Sequence, residues 1–91
     1  MYSIHYPKNV IKKHISNLPL KIKRIIKQVI EERLIIDPIG NGKPLKYMLK
    51  GYRSCRVGDY RIIYKIEQKK NEIIIAAIQH RKEVYEKLED A

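Results

Sequence analysis

The stretch Arg56-Val57-Gly58-Asp59-Tyr60-Arg61 decides the fold. Two β-prone runs meet at Gly58-Asp59, and glycine accepts the positive φ that a two-residue hairpin loop requires. With those two residues as the loop, Val57 faces Tyr60 and Arg56 faces Arg61 across antiparallel strands. Directly opposed Cβ atoms lie about 5 Å apart, an unfavourable separation for like charges. Solvent, a partner carboxylate or a phosphate spread over the pair relieves it, so the hairpin points to an anion site.

Counting outward by twos, one face carries Cys55, Val57, Tyr60, Ile62, Tyr64 and Ile66, and the other carries Tyr52, Ser54, Arg56, Arg61, Ile63 and Lys65. The first face is apolar enough to be core, while the second is basic and amphipathic. Arg53 is the misfit on the apolar face, expected near an edge where its long stem carries the guanidinium to water.

Size and charge set the bounds around this hairpin. Ninety-one residues, 44% hydrophobic and 33% charged, fit one folded domain spanning 1–91. Twenty Lys and Arg against ten Asp and Glu leave a net charge of +10. Such a field favours polyanions: nucleic acid, an acidic membrane surface or an acidic protein partner. The single cysteine, Cys55, rules out an internal disulfide and faces the core, where it reads as a small buried hydrophobe. No apolar run approaches the roughly 20 residues of a membrane span, and the amino end has no signal-peptide pattern. The expected compartment is the cytoplasm. His5 and His14 have no clustered ligands near them in sequence, and no metal site is expected. Gly40-Asn41-Gly42-Lys43 lacks the spacing of a phosphate-binding loop. No cofactor is expected.

The flanking segments complete an architecture. Residues 1–6 suit a short first strand stopped by Pro7, which sits at the first turn of a helix running to about Leu18. Ile11, Ile15 and Leu18 share a face of it, with Val10 beside them. Pro19 opens a second helix, about 19–34, whose Ile22, Ile25, Ile26, Val29, Ile30 and Leu34 follow the three-and-four spacing of an apolar stripe. Residues 37–46 are dense in turn formers and read as a loop. Strands follow at about 50–57, 59–67 and 72–79, the last so apolar that it is expected to be covered on both sides or central. A short helix begins near His80-Arg81-Lys82-Glu83-Val84-Tyr85. The fold class is therefore α+β: a small antiparallel sheet with an N-terminal αα-hairpin on one face, in the order β-α-α-β-β-β plus a short C-terminal helix. The opposite face stays open, where Arg56, Arg61 and Lys65 point.

Four segments in this order, Lys43-Pro44-Leu45-Lys46, Leu49-Lys50-Gly51, Arg56 through Tyr64, and His80 through Tyr85, resemble the RelE/ParE superfamily of bacterial and archaeal toxins. The resemblance covers essentially the whole chain and implies a toxin of a type II toxin–antitoxin system. RelE-type members are ribosome-dependent endoribonucleases that cut messenger RNA in the decoding site and are restrained by a cognate antitoxin. ParE-type members share the fold, poison DNA gyrase and lack the basic catalytic cluster. By resemblance, Arg61 matches the catalytic strand arginine, Arg81 a second arginine and Tyr85 a terminal tyrosine that contributes to cleavage. A lysine pair of RelE on the preceding strand is missing here, and only Arg53 and Arg56 stand in its place. The implied partners are an acidic, partly disordered antitoxin, the ribosome and messenger RNA, with gyrase as the alternative.

The residue types suit metal-independent RNA cleavage. The ribose 2′-hydroxyl must lose its proton, the pentacoordinate phosphate must be stabilised, and the leaving 5′-oxygen must gain a proton. Guanidinium groups hold a fixed charge and can grip two phosphate oxygens. Arg61 and Arg81, aided by Arg56, are the candidates for that task; the competing role for Arg56 and Arg61 is a solvated strand face. Tyr85 can pass a proton only if neighbouring cations lower its pKa, and it otherwise packs the terminal helix. His80, at a strand end beside Arg81, is a candidate for proton transfer, or else a structural or solvent-facing histidine. Lys43, Lys46, Lys50, Arg53 and Lys65 are candidates for RNA or ribosome contact, or equally for solvated surface. Tyr47 and Tyr52 are open to base stacking or to packing. A catalytically degenerate, antitoxin-binding homologue is the remaining alternative.

Overall fold

The computed structural model describes residues 1–82. The chain runs β1 (Ser3–His5), α1 (Lys8–Val10, continued by a wide turn Ile11–Ile15), α2 (Leu20–Val29, continued by Ile30–Leu34), β2 (Lys43–Pro44), β3 (Arg53–Val57), β4 (Tyr60–Glu67) and β5 (Glu72–His80). The order across the sheet is β1-β5-β4-β3-β2. The α+β class and the αα-hairpin hold. Two details of the sheet differ from expectation. β1 pairs in parallel with β5, through Ser3 opposite Glu72 and His5 opposite Ile74. The two helices carry the chain across the sheet before it returns, which permits that parallel pairing. Inside the expected loop, Lys43 and Pro44 form a minimal edge strand against Ser54 and Arg53. Proline is tolerated there because an edge strand leaves one side of its backbone unpaired. The strand expected from residue 50 starts at Arg53, and the expected terminal helix falls mainly on residues 83–91, outside the described residues.

Both helices begin directly after a proline, Pro7 and Pro19, and each relaxes toward i→i+5 bonding at its end. The amide of Ser16 donates to Ile11 O and that of Ile35 to Ile30 O. A wide turn carries more residues per revolution and shifts the phase of the buried stripe. That explains why Val10 is buried while Ile11, expected on the core face, is exposed. In α2 the expected stripe holds for Ile26, Val29, Ile30 and Leu34, with Ile25 turned outward.

These residues pack on Cys55, Ile62, Tyr64, Ile73, Ile75 and Ile78 of the sheet. The register between β4 and β5 shifts at Ile63/Tyr64, where Ile63 faces Ala77 but Tyr64 faces Ile75. This bulge lets the apolar run of β5 keep Ile73, Ile75 and Ile78 inward. The strand is thus one-sided, not buried throughout. Beyond the short β1, its outer edge is met by α1: the amide of Ile78 donates to Nδ1 of His14 at 3.3 Å. A side chain from a helix blunts an edge that would otherwise be open to pairing.

Candidate active site

The β3–β4 hairpin has the expected register, Arg56 opposite Arg61 and Val57 opposite Tyr60. Gly58 takes φ of +60° and Asp59 does not, the sign pattern of a turn with glycine at its first central position. β5 extends the register: Gln79 lies opposite Arg61, and His80 opposite Tyr60. One row on the face away from the helices therefore reads Gln79, Arg61, Arg56; that face is not open throughout as expected, since Ile63 on it is buried. The neighbouring row, His80, Tyr60, Val57, belongs to the helix side, where Tyr60 and Val57 pack against the core.

The backbone N–H of Arg81 donates to Asp59 O at 2.6 Å and stitches the end of β5 to the turn. Arg56 Nε donates to Gly58 O at 3.2 Å, which holds its guanidinium against that turn. Together Arg56, Gly58, Asp59, Tyr60, Arg61 and Arg81 line a shallow depression of about 40 Å³. A water needs roughly 10–15 Å³ on such a measure. The depression therefore suits a few waters or one small anionic group, and not a nucleobase. Its lining residues thus include three arginines and one acid, Asp59.

The structure divides the other candidates. His80 stands on the helix-side row, its ring edge-on to Tyr60 at 5.1 Å and 88°, and its Nδ1 accepts from the Lys82 amide at 3.3 Å. Lys43, opposite Ser54, shares the open face with Arg56. Lys65 shares it too and pairs with Glu67 at 3.3 Å, an exposed pair of small energetic weight. Lys46 and Lys50 lie exposed in the connection from β2 to β3. Tyr85 lies outside the described residues.

Arg53 stands beside the two-residue edge strand and is partly exposed, as expected. Its guanidinium is in addition tied down: Nη2 donates to Ile39 O at 2.8 Å and to Gly42 O at 3.0 Å, and Nε is buried with no partner among the described residues. Beside it the fully buried Tyr64 donates its hydroxyl to Pro38 O at 2.6 Å. Arg53 is a clamp on the 37–42 loop. Burial raises the pKa of Tyr64 above its ordinary value, against the lowering effect of Arg53. Burial likewise raises that of the Cys55 thiol, partly offset by Arg33, which leaves it unreactive.

Gln79, opposite Arg61 in the sheet, is a neighbour of the site that sequence reasoning missed. Its position beside Arg61 depends on the β4–β5 register, and the unalternating run Ile73-Ile74-Ile75-Ala76-Ala77 hides both register and bulge. Asp59, read as a turn residue, also reaches the depression.

Comparison with known proteins bears on the family and the fold. The family model of the ParE toxin of the type II toxin–antitoxin system parDE matches residues 8–85. The chain is 30% identical over 74 residues to the toxin RelG of Mycobacterium tuberculosis, covering 81% of this chain and 85% of that protein. It is 34% identical over 71 residues to the toxin RelE of the same organism, covering 78% and 73%. A chain of the RelBE2 toxin–antitoxin complex from M. tuberculosis superposes with a TM-score of 0.82 at 28% identity, covering 88% of this chain and 98% of that one. The isolated RelE toxin of E. coli shares the fold with a TM-score of 0.73 at 17% identity, covering 99% and 97%. The chain belongs to the RelE/ParE superfamily of type II toxin–antitoxin toxins.

Proposed function

We propose that this toxin is a RelE-like messenger RNA interferase that acts on the ribosome. The observation that carries the reading is the convergence of Arg56, Arg61 and Arg81 on one anion-sized depression at the open face. In the proposed reaction the 2′-oxygen attacks the adjacent phosphorus as its proton leaves, and the 5′-oxygen departs and takes up a proton, leaving a 2′,3′-cyclic phosphate. Arg61 and Arg81 stabilise the charge on the pentacoordinate phosphate, with Arg56 beside them. Gln79 supplies a neutral donor next to Arg61. Tyr85 is proposed for proton transfer on resemblance alone; His80, turned to Tyr60, supports the rim instead.

The work is assigned to one domain in the cytoplasm. The partner is a cognate antitoxin, since the RelBE2 neighbour is a toxin–antitoxin complex; an acidic segment suits the +10 charge. A second reading, a gyrase poison, draws on the ParE name of the matching family model and on the missing lysine pair. Primer extension on a translated reporter message after brief induction separates the two. Discrete cuts that vanish when translation is blocked, and vanish in Arg61→Ala plus Arg81→Ala, are expected. Uncut messages with gyrase-dependent DNA breaks would overturn the nuclease reading.

A further inference from the structure

Tyr47 is 91% exposed, and its backbone takes φ of +60°, a region uncommon for bulky residues. It opens a single tight turn, Tyr47–Leu49, within the connection from β2 to β3. That connection is tied by its own backbone. Leu45 N–H donates to Tyr52 O at 2.9 Å across the base, Lys50 N–H to Tyr47 O at 3.0 Å, and Tyr52 N–H to Leu49 O at 3.0 Å. Gly51 supplies a further positive φ of +96°. The loop thus holds an aromatic ring in solvent by backbone bonding, although such a ring normally finds its stability in burial.

The surroundings identify what would cover it. Lys43, Lys46 and Lys50, four, one and three residues from Tyr47 along the chain, are all exposed. Between Asp37 and Asp59 the chain carries Lys43, Lys46, Lys50, Arg53 and Arg56 and no carboxylate. Protein hot spots sit in apolar patches that exclude water, whereas the segment around this tyrosine carries exposed lysines and no carboxylate. An exposed ring flanked by cations is the arrangement that stacks a base and tracks a phosphate backbone in single strands. The connection leaves the sheet where Lys43 lies opposite Ser54, on the face of Arg56 and Arg61. The base of the connection, at Arg53, is about 10 Å from Arg56 along β3, a spacing that an extended strand of a few nucleotides covers.

We infer that Tyr47 is a stacking platform for one base of single-stranded RNA, with Lys46 and Lys50 on the flanking phosphates. The inference rests on the open face being an RNA surface and requires no cleavage. The chain contains no tryptophan, so Tyr47→Trp introduces a single indole at the platform. Titration of this variant with oligoadenylate at low salt is expected to quench its emission. Anisotropy of labelled oligoadenylate is expected to show Tyr47→Phe binding like the wild type. Tyr47→Asn, whose residue accepts the left-handed backbone, is expected to bind about 5- to 150-fold more weakly, the range for loss of one stacked base. Thermal melts of the variants verify that each is folded. Unquenched emission at saturation, wild-type affinity in Tyr47→Asn, or no oligonucleotide binding by the wild type would overturn the inference. Message cleavage by primer extension is read separately. Uncut messages with ring-dependent RNA binding would sink the nuclease reading alone, and cut messages with ring-independent binding would sink this inference alone.

Discussion

Arg53 and Arg56 stand three residues apart on β3 and face opposite sides of the sheet. Strand alternation puts Arg53 on the helix side, where two loop carbonyls absorb its donors. Arg56 goes to the open side, opposite Arg61 and beside Arg81 at the depression. The side chains are chemically identical, and only the neighbourhood differs. The Arg53 guanidinium organises a loop through its carbonyls; that of Arg56 bonds its own turn and lines a depression shared with Arg61 and Arg81. The same division runs through the glycines. Gly58 shapes the site's turn through its positive φ, with open space around it, whereas a Cβ on Gly42 would sit 1.9 Å from the hydroxyl of buried Tyr64.

Three tests bear on this division, from the largest expected effect downward. Removing Arg61 and Arg81 together should reduce message cleavage by about a hundredfold or more, the scale for one lost transition-state donor. A melting curve checks that the double variant is folded. On the other side, Gly42→Ala should destabilise the fold by about 1–3 kcal/mol in urea unfolding, as overpacking against Tyr64 does. Gly58→Ala should cost less, since only backbone strain of about 1–2 kcal/mol applies there. A smaller effect concerns alkaline pH. Cys55 has an ordinary pKa of 9.0, Tyr6 and Tyr64 of 10.0, and burial raises all three in the folded chain. The unfolded chain loses these protons first. Stability should therefore be complete below about pH 9 and fall as pH rises through the folded values. Urea midpoints that stay level from about pH 8 to pH 11 would show that these groups are not protected by the core.

The sequence was most legible where one local signal settles a geometry. Gly58-Asp59 set the register of Arg56 and Arg61, and the spacing from Ile26 to Leu34 set the buried face of α2. Three features depended on distant partners and were hidden. Arg53 looked like a surface misfit because its acceptors lie in a loop 11 and 14 residues away. The place of His80 depended on a bulge inside an apolar run with no alternation. The parallel pairing of β1 links Ser3 with Glu72, a contact that no local pattern announces. The family resemblance identified Arg61 and Arg81, but the face on which His80 and Gln79 lie came only from the fold.

The most direct measurement pairs Arg53→Ala with Arg56→Ala and determines, for each, the melting curve and the message cleavage at a temperature where both are folded. Arg53→Ala should lose about 1.5–3 kcal/mol of stability, the scale for a hydrogen bond to a charged group, and retain cleavage. Arg56→Ala should keep its stability and lose about tenfold or more in cleavage. If both variants lost stability alike, or if Arg53→Ala lost cleavage while Arg56→Ala kept it, the two sides of β3 would not divide structure from chemistry.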